Sequence, residues 1–490
     1  MPARRIKVFP PHLDAPLSQR QAKQLVSTAS AVASHAFMPF LQRNQRWTKF
    51  ALKGTDPDEV TTKDRPILYA SRRDSYIFSH YRGILNLLYE SEVARLGLQG
   101  CVLAYRKIPL QGGRGGKCNI HFACEAFQLI RNTGNCIAVA LDVRKFFEHL
   151  DHQHIKKMWL RLLPTSTYRR NAPVLPDDHF KIFRAVTQYS FINRDQAYNK
   201  LGLIGERYSS KGEKEIGYLR KRDDFPLKIC SSKDFREKLA DVIQVNPDPF
   251  GIPQGSPISD LLANLYMLDF DAAMSATAAR ERGRYFRYSD DILLILPTRT
   301  TTSWENAITS VEDILKQTAP RLELKSEKTQ VYEYQRLASG EDQSNRSLRA
   351  KRPPDGLEYL GFRYDGRRVF LRNSTVSGIR RKITGVANRM ARRLAKQNPT
   401  MSLKQLIDLF NYSVLIARFG RVKDFDTEGK KYTSWTFWTY VMRSSKIFGQ
   451  IAKPILRQTS DYKAFARKKA VEALQYAHDR EAVGTTAPRQ

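Results

Sequence analysis

Two adjacent aspartates, Asp290 and Asp291, stand between the short runs Arg284-Tyr-Phe-Arg-Tyr288 and Ile292-Leu-Leu-Ile-Leu296. Apolar, aromatic-rich runs of this length on either side of a polar pair predict two buried strands joined at a tight tip. Two carboxylates about 4 Å apart repel by roughly 4 kcal/mol at an effective dielectric near 20. A hairpin that keeps both at its tip therefore needs a cation there. In isolation, Ser289-Asp290-Asp291 reads first as a solvated turn, and the rest of the chain decides against that reading.

A third carboxylate, Asp142, ends the strand-like run Cys136-Ile-Ala-Val-Ala-Leu-Asp142, and Pro253-Gln-Gly-Ser-Pro-Ile-Ser259 lies between the two acidic sites. Strand-Asp, then Pro-Gln-Gly, then aromatic-x-Asp-Asp resembles motifs A, B and C of the reverse transcriptases, in that order. The resemblance covers roughly residues 65 to 395. It implies an α+β right-hand polymerase: fingers, a palm of antiparallel sheet plus helices on an RRM-like core, and a helical thumb. The implied activity is RNA-directed DNA synthesis from dNTPs. Two Mg²⁺ ions would be held by Asp142, Asp290 and Asp291, with Val143 beside the first of them.

Other segments take roles from the same resemblance. Asp-x-x-x-Phe-Phe-x-x-x-Asp-His from Asp142 is similar to motif A of intron and retron enzymes, and places Phe147 beneath the sugar of an incoming nucleotide. Gln254 is expected to hydrogen-bond template or nucleotide, and Gly255 to leave room for a base pair. The strand-like run Val102–Pro109 and the glycine-rich loop 111–117 resemble the fingers of retron and group II intron enzymes, which makes Arg106 and Lys117 candidate triphosphate contacts. Trp304–Leu315 and Leu322–Tyr332 look like motif D, with Lys328 the proton donor to pyrophosphate. Leu357–Leu371, a hairpin about Asp365-Gly366, resembles the primer grip.

Beyond it, Val376, Ile379, Ile383, Val386, Met390 and Leu394 recur at helical spacing. From Arg380 to Lys396 seven cations and no acid surround that stripe, among them Arg380, Arg381, Lys382, Arg389, Arg392 and Arg393. This predicts a thumb helix that presents positive charge to a duplex.

Composition agrees with a polyanionic partner. In 490 residues there are 82 Lys+Arg against 49 Asp+Glu, a formal net charge of +33. An RNA template or non-coding RNA and a DNA product are the expected partners, and self-association is left open. No apolar run approaches the ~20 residues of a membrane span, and the N-terminal stretch lacks the apolar core of a signal peptide, so a soluble cytoplasmic protein with no membrane partner is expected. Five cysteines without a Cys-x-x-Cys pair indicate neither a disulfide framework nor a zinc site. His149, His152 and His154 read as ordinary helix residues.

The expected boundaries are a helical extension over 1–64 with one helix from Leu17 to Leu41, fingers over 65–135, and a palm over 136–370 with an insertion at about 165–249. A polar linker is expected from Arg336 to Pro354, the thumb helix over 371–400, a basic helical region over 401–477 and a disordered tail from 478. The long inter-motif segment and helical C-terminal region look most like the bacterial defence-associated reverse transcriptases, which act with a structured RNA against phage. Two alternatives stay open: an untemplated or protein-primed polymerase of the abortive-infection type, and a catalytically silent RNA-binding scaffold.

Overall fold

The computed structural model describes residues 11–48, 62–110, 112, 115–164, 167–169, 172–208, 214–220, 224–300, 303–338, 340, 342–349, 355–420 and 436–485. It opens with two short helices, α1 (Gln19–Gln24) and α2 (Ala29–Ala33), started by the hydroxyl caps Ser18 and Thr28. The single helix expected over 17–41 is thus divided, because Thr28 begins a second set of helical bonds and Pro39 cannot continue them. The chain enters strand β1 (Phe40–Thr48), which pairs antiparallel with β2 (Thr62–Tyr69). The N-terminal part, expected to be a helical extension, holds two short helices and then a strand of this hairpin. The expected loop at 54–59 lies outside the described residues.

Helix α3 (Arg72–Arg95) forms where apolar spacing predicts it, burying Ile77, Tyr81 and Leu85, while Ile84 faces outward. Its first turn is fixed by Asp14, whose carboxylate accepts from the backbone N–H groups of Arg72 and Arg73 at 3.0 and 2.9 Å. Val102–Pro109 is not a strand. Its two ends form single bridges, Val102 to Arg287 and Pro109 to Gly116, and between them the chain turns through Tyr105 at φ +63°. Helix α4 (Asn119–Thr133) leads into β3 (Cys136–Asp142), followed by α5 (His152–Leu162).

Residues 165–249, expected as a palm insertion, are built largely into the fingers. They hold a small hairpin, β4 (Thr167–Arg169) and β5 (Ala172–Val174), then α6 (Asp177–Thr187), β6 (Ser190–Asn193), α7 (Arg194–Lys200), the hairpin β7 (Ile204–Tyr208) and β8 (Lys214–Tyr218), the single turn α8 (Ser232–Asp234) and β9 (Gln244–Val245). Strand β6 runs parallel to β1 and pairs with β9, giving the sheet order β2-β1-β6-β9. Few apolar anchors suffice in this charged stretch: Ile192, Ala197 and Tyr198 close one core with Leu13 and Leu41, while Ile182 and Val186 join the palm core. Residues 209–213, between β7 and β8, lie outside the described residues.

The palm continues with α9 (Ser259–Tyr266), α10 (Leu268–Arg280), β10 (Arg284–Tyr288), β11 (Asp291–Pro297), α11 (Trp304–Thr318), β12 (Gln330–Arg336) and β13 (Gln343–Ser347). Its sheet is antiparallel throughout, in the order β10-β11-β3-β12-β13. Strand β3 sits at the centre and is apolar on both faces. Ile137, Val139 and Leu141 pack toward the main helices, and Cys136, Ala138 and Ala140 toward α4. Strand β13 stands where a linker was expected, since the fully buried Gln343 finds partners for its amide, donating to the Ile130 carbonyl at 3.0 Å. Residues 350–354 of that stretch lie outside the described residues.

A three-stranded sheet, β14 (Leu357–Tyr359), β15 (Phe362–Tyr364) and β16 (Val369–Leu371), includes the expected turn at Asp365-Gly366. Then come α12 (Asn373–Gln397), α13 (Leu403–Leu409), α14 (Tyr412–Ala417), α15 (Phe437–Phe448), α16 (Lys453–Arg457) and α17 (Tyr462–Thr485). Helix α12 packs along α17 through Ile383, Val386, Ala387, Ala391 and Ala395 against Ala466, Ala470, Ala473 and Leu474. Helix α12 thus shares its core with α13, α14 and α17, whereas α15 and α16 pack into the core of the β14–β16 sheet, and α17 runs to Thr485, past the point where disorder was expected. Tyr440 and Phe437, from the aromatic-rich run Tyr432–Tyr440, pack against the β14–β16 sheet and are core; residues 432–435 of that run lie outside the described residues. No described helix is long and apolar enough to cross a membrane.

Fingers and palm meet where Leu68 N–H donates to the Gln254 carbonyl at 2.9 Å. Gly255 has φ +120°, and a Cβ there would lie 2.6 Å from the Leu68 carbonyl oxygen. The glycine is required by this close approach of two backbones rather than by a bound base pair. Gly255→Ala should therefore lower the thermal midpoint, by about 1–3 kcal/mol of stability. Gly83→Ala on the open face of α3, where a Cβ meets nothing, should raise it by about 0.5–1 kcal/mol. Calorimetry on both variants checks the pair.

Candidate active site

The register of the palm sheet sets the site. Asp142, the last residue of β3, lies directly opposite Asp291, the first of β11. Asp290 sits in the two-residue turn between β10 and β11, its carbonyl accepting from Val143 N–H at 3.0 Å. The expected hairpin with acid at its tip is present, and the third carboxylate is beside it. Burial pushes the Asp291 carboxyl up to about 7, with the charges of Asp290 and Asp142 adding to it. Asp290 is raised by the same burial and by Asp142. The cation required by the sequence is Lys328, whose Nζ lies 2.5 Å from Asp142 Oδ2. It reaches there from a short 3₁₀ turn rather than from the expected strand, because Lys325 N–H donates to the Asp142 carbonyl at 2.7 Å. Among the described residues no three acidic, histidine or cysteine side chains already converge as a metal cage.

The turn itself is strained. Ser289 has φ +62°, a conformation for which hairpins usually supply glycine. It is held from two sides: its hydroxyl lies 3.0 Å from Tyr105 Oη, and its carbonyl accepts from Arg287 Nη1 at 3.1 Å. Arg287 is fully buried and paired with the equally buried Asp271 of α10 at 2.6 Å. The same guanidinium donates to Asn264 Oδ1 at 3.1 Å, and Tyr285 donates its hydroxyl to Asp271 at 2.7 Å. Burial works against the charge on Arg287, yet Asp271 outweighs it and holds the guanidinium protonated. These residues were missed in the sequence. The available signal was an arginine on the inward face of a strand, two residues from Tyr285, and an aspartate among the apolar residues of α10.

A cleft of about 580 Å³ opens beside the carboxylates, lined by Asp142, Asp291, Lys328, Tyr288, Glu358 and Arg372. The Arg372–Glu358 ion pair, at 2.5 Å, was also missed. Phe146 is buried and Phe147 only half-buried, so Phe147 is the ring of the pair left partly open. Its carbonyl accepts from Ile252 N–H at 3.0 Å, which sets it beside the Pro-Gln-Gly turn. The fingers candidates fare differently. Arg106 is turned inward, its side chain 5% exposed and paired with Glu90 at 2.7 Å, so it does not face the cleft as expected. Lys117 is paired with Glu125 at 2.5 Å, and residues 111, 113 and 114 of its loop lie outside the described residues. On α12, Arg380 is tied to Asp461 at 2.9 Å, whereas Arg381, Lys382, Arg389, Arg392 and Arg393 lie on the exposed face.

Residues 243–364, which hold the Pro-Gln-Gly turn and both aspartates of the hairpin, match the family described as reverse transcriptase (RNA-dependent DNA polymerase). Over that quarter of the chain the palm segment is similar to the reverse transcriptases. No protein with a curated description matches the chain. Among solved structures, telomerase from Candida albicans in complex with a fragment of telomeric RNA is similar at 10% identity and a TM-score of 0.37, over 96% of this chain and 71% of that one. Apo telomerase from Candida tropicalis, truncated of its C-terminal domain, is similar at 11% identity and a TM-score of 0.34, over 63% and 52%. The chain thus spans about half to seven-tenths of the length of these two telomerase chains.

Two outcomes follow from the buried charges of this site. A carboxyl raised in the folded state binds more protons there than when unfolded, so stability falls as pH rises from about 4 to 7. Asp291→Asn removes that penalty; thermal melts should show the variant gaining on wild type by roughly 1–4 kcal/mol above pH 7, with the gap closing toward pH 4. Arg287→Lys keeps the charge beside Asp271 but cannot also reach Asn264 and the Ser289 carbonyl. It should fold with a loss of about 1–3 kcal/mol, and hydrogen exchange should report the Ser289–Asp291 turn opening more often than in wild type.

Proposed function

We propose that the chain is an RNA-directed DNA polymerase that adds dNTPs by two-metal phosphoryl transfer. The observation that carries this reading is the in-register pair Asp142 and Asp291, with Asp290 at the adjoining turn, buried together against their own repulsion in a palm whose segment 243–364 matches the reverse transcriptase family. A carboxyl raised by burial, and further by its like-charged neighbours, accommodates divalent cations, and Lys328 already answers part of the charge. Asp142, Asp290 and Asp291, with Val143, would hold two Mg²⁺ ions, which when bound supply activation of the attacking hydroxyl and neutralise the triphosphate. For this, Lys328 releases Asp142 and is left within reach to donate a proton to departing pyrophosphate. Arg372, beside the cleft, offers a second cation to the nucleic-acid backbone.

Phe147 selects the sugar. A packed ring leaves no space for one added oxygen, and offers that hydroxyl no hydrogen-bond partner. Gln254 faces the same region from the Pro-Gln-Gly turn, and the exposed Arg381, Lys382, Arg389, Arg392 and Arg393 give α12 a surface for the template–product duplex. The narrower reading, a bacterial antiphage enzyme working with a structured non-coding RNA, is supported by the long segment between the first two motifs and by the helical C-terminal region.

Primer extension with dNTPs and Mg²⁺ tests the activity. Asp290→Ala and Asp142→Ala should each lower incorporation by roughly 10³-fold or more while gel shifts show RNA binding nearly intact; synthesis at wild-type rate by either would remove the mechanism. In the same assay Phe147→Ala should shrink the preference for dNTPs over rNTPs by about tenfold or more. Sequencing the RNA that copurifies, and plating phage on cells carrying wild type or Asp290→Ala, tests the narrower reading.

A further inference from the structure

The segment that joins the fingers in place of a palm insertion builds a second cavity, of about 440 Å³, on the face of the β1–β2 hairpin. Its size is that of a small-ligand pocket. We propose that it seats one unstacked nucleotide of the single-stranded template, before that strand reaches the catalytic aspartates. Calling the strand a template rests on the polymerase reading; the site itself does not.

Three features point to this ligand. The first is the aromatic lining. Tyr198 and Tyr218 are edge-on at 6.5 Å between centroids, with Phe225 behind Tyr218 at 5.3 Å. Tyr198 is buried, but Tyr218 stays 42% exposed, so its ring is fixed by its neighbours and open to a stacking partner. The second is charge. Arg43 on β1 is exposed and carries no ion pair among the described residues, while Arg194 lies over the Tyr198 ring at 5.6 Å, its charge partly answered by Asp195. A π-face flanked by guanidinium groups suits a base and its phosphate together. The third is position. Ile67 forms one wall, and its Cγ2 would lie 3.2 Å from a Cβ on Gly255, so the cavity is one side chain away from the Pro-Gln-Gly turn. A purely structural role would explain Tyr198, which closes the core with Leu41 and Ile192. It does not explain an exposed tyrosine beside an unpaired arginine.

Binding of a short unstructured RNA and of a blunt RNA–DNA hybrid to the full chain, measured by fluorescence anisotropy without dNTPs across a salt series, decides the matter. Tyr218→Ala should weaken the single strand about tenfold with an unchanged salt slope, and Tyr218→Phe should bind as wild type does. Arg43→Gln should lower the salt slope by about 0.7. The hybrid should bind all of them equally. Wild-type affinity of Tyr218→Ala for the single strand, or an equal loss on the hybrid, overturns the proposal. Failure of the polymerase reading would appear instead as no incorporation by the wild-type chain with these binding results unchanged.

Discussion

The buried pair of Arg287 and Asp271 is the interaction on which the geometry of the site depends. Taking two charges out of water costs several kcal/mol per ion unless their remaining donors and acceptors are met, and here they are. Arg287 spans Asp271 on α10, Asn264 on α9 and the Ser289 carbonyl at the catalytic turn. Asn264 in turn donates to the Ala104 carbonyl at 2.9 Å, and Arg287 N–H donates to the Cys101 carbonyl at 2.8 Å. One guanidinium therefore joins two helices, a strand and the segment leading out of α3. A hydrophobic pair could fill the same volume, but it could not hold a serine at positive φ.

Charge is distributed so that repulsion is concentrated at one point. A chain with net charge +33 gathers three carboxylates at the end of a central strand, two of them raised by burial. The nearest cations, Lys328 and Arg372, both lower the Asp291 carboxyl but do not offset its burial. The site is thus left short of positive charge inside a strongly basic molecule. An added cation would relieve that imbalance.

Apolar periodicity made the palm legible: β3, β10, β11, α3 and α11 all follow from runs in the sequence, and with them the positions of Asp142, Asp290 and Asp291. What was not legible depends on partners far away in the chain. The fingers sheet takes strands from 40–48, 62–69, 190–193 and 244–245, and no local pattern announces that Phe191 will lie beside Phe40. Arg106 looked free because the acid that captures it, Glu90, lies sixteen residues earlier on α3. On α12 the large apolar residues marked the correct helix, but its tightest contact runs through Ala387, Ala391 and Ala395, whose small side chains let α17 approach closely.

These same contacts decide which parts of the molecule move together. The edge strand β2 is hydrogen-bonded to the Pro-Gln-Gly turn, Gly255 admits no gap between them, and that turn is bonded to the loop carrying Phe147. Strand β2, the Phe147 loop and the paired carboxylates are therefore linked by backbone contacts with no flexible side chain between them. The thumb is joined differently. Its core of α12, α13, α14 and α17 is separate from the palm cores, and the chain enters it at Arg372, whose ion pair with Glu358 is half open to solvent. An exposed pair of that kind contributes at most about 1 kcal/mol. The helical core is consequently the part of the molecule least tied to the carboxylates, whereas the Phe147 loop is tied to them through the backbone.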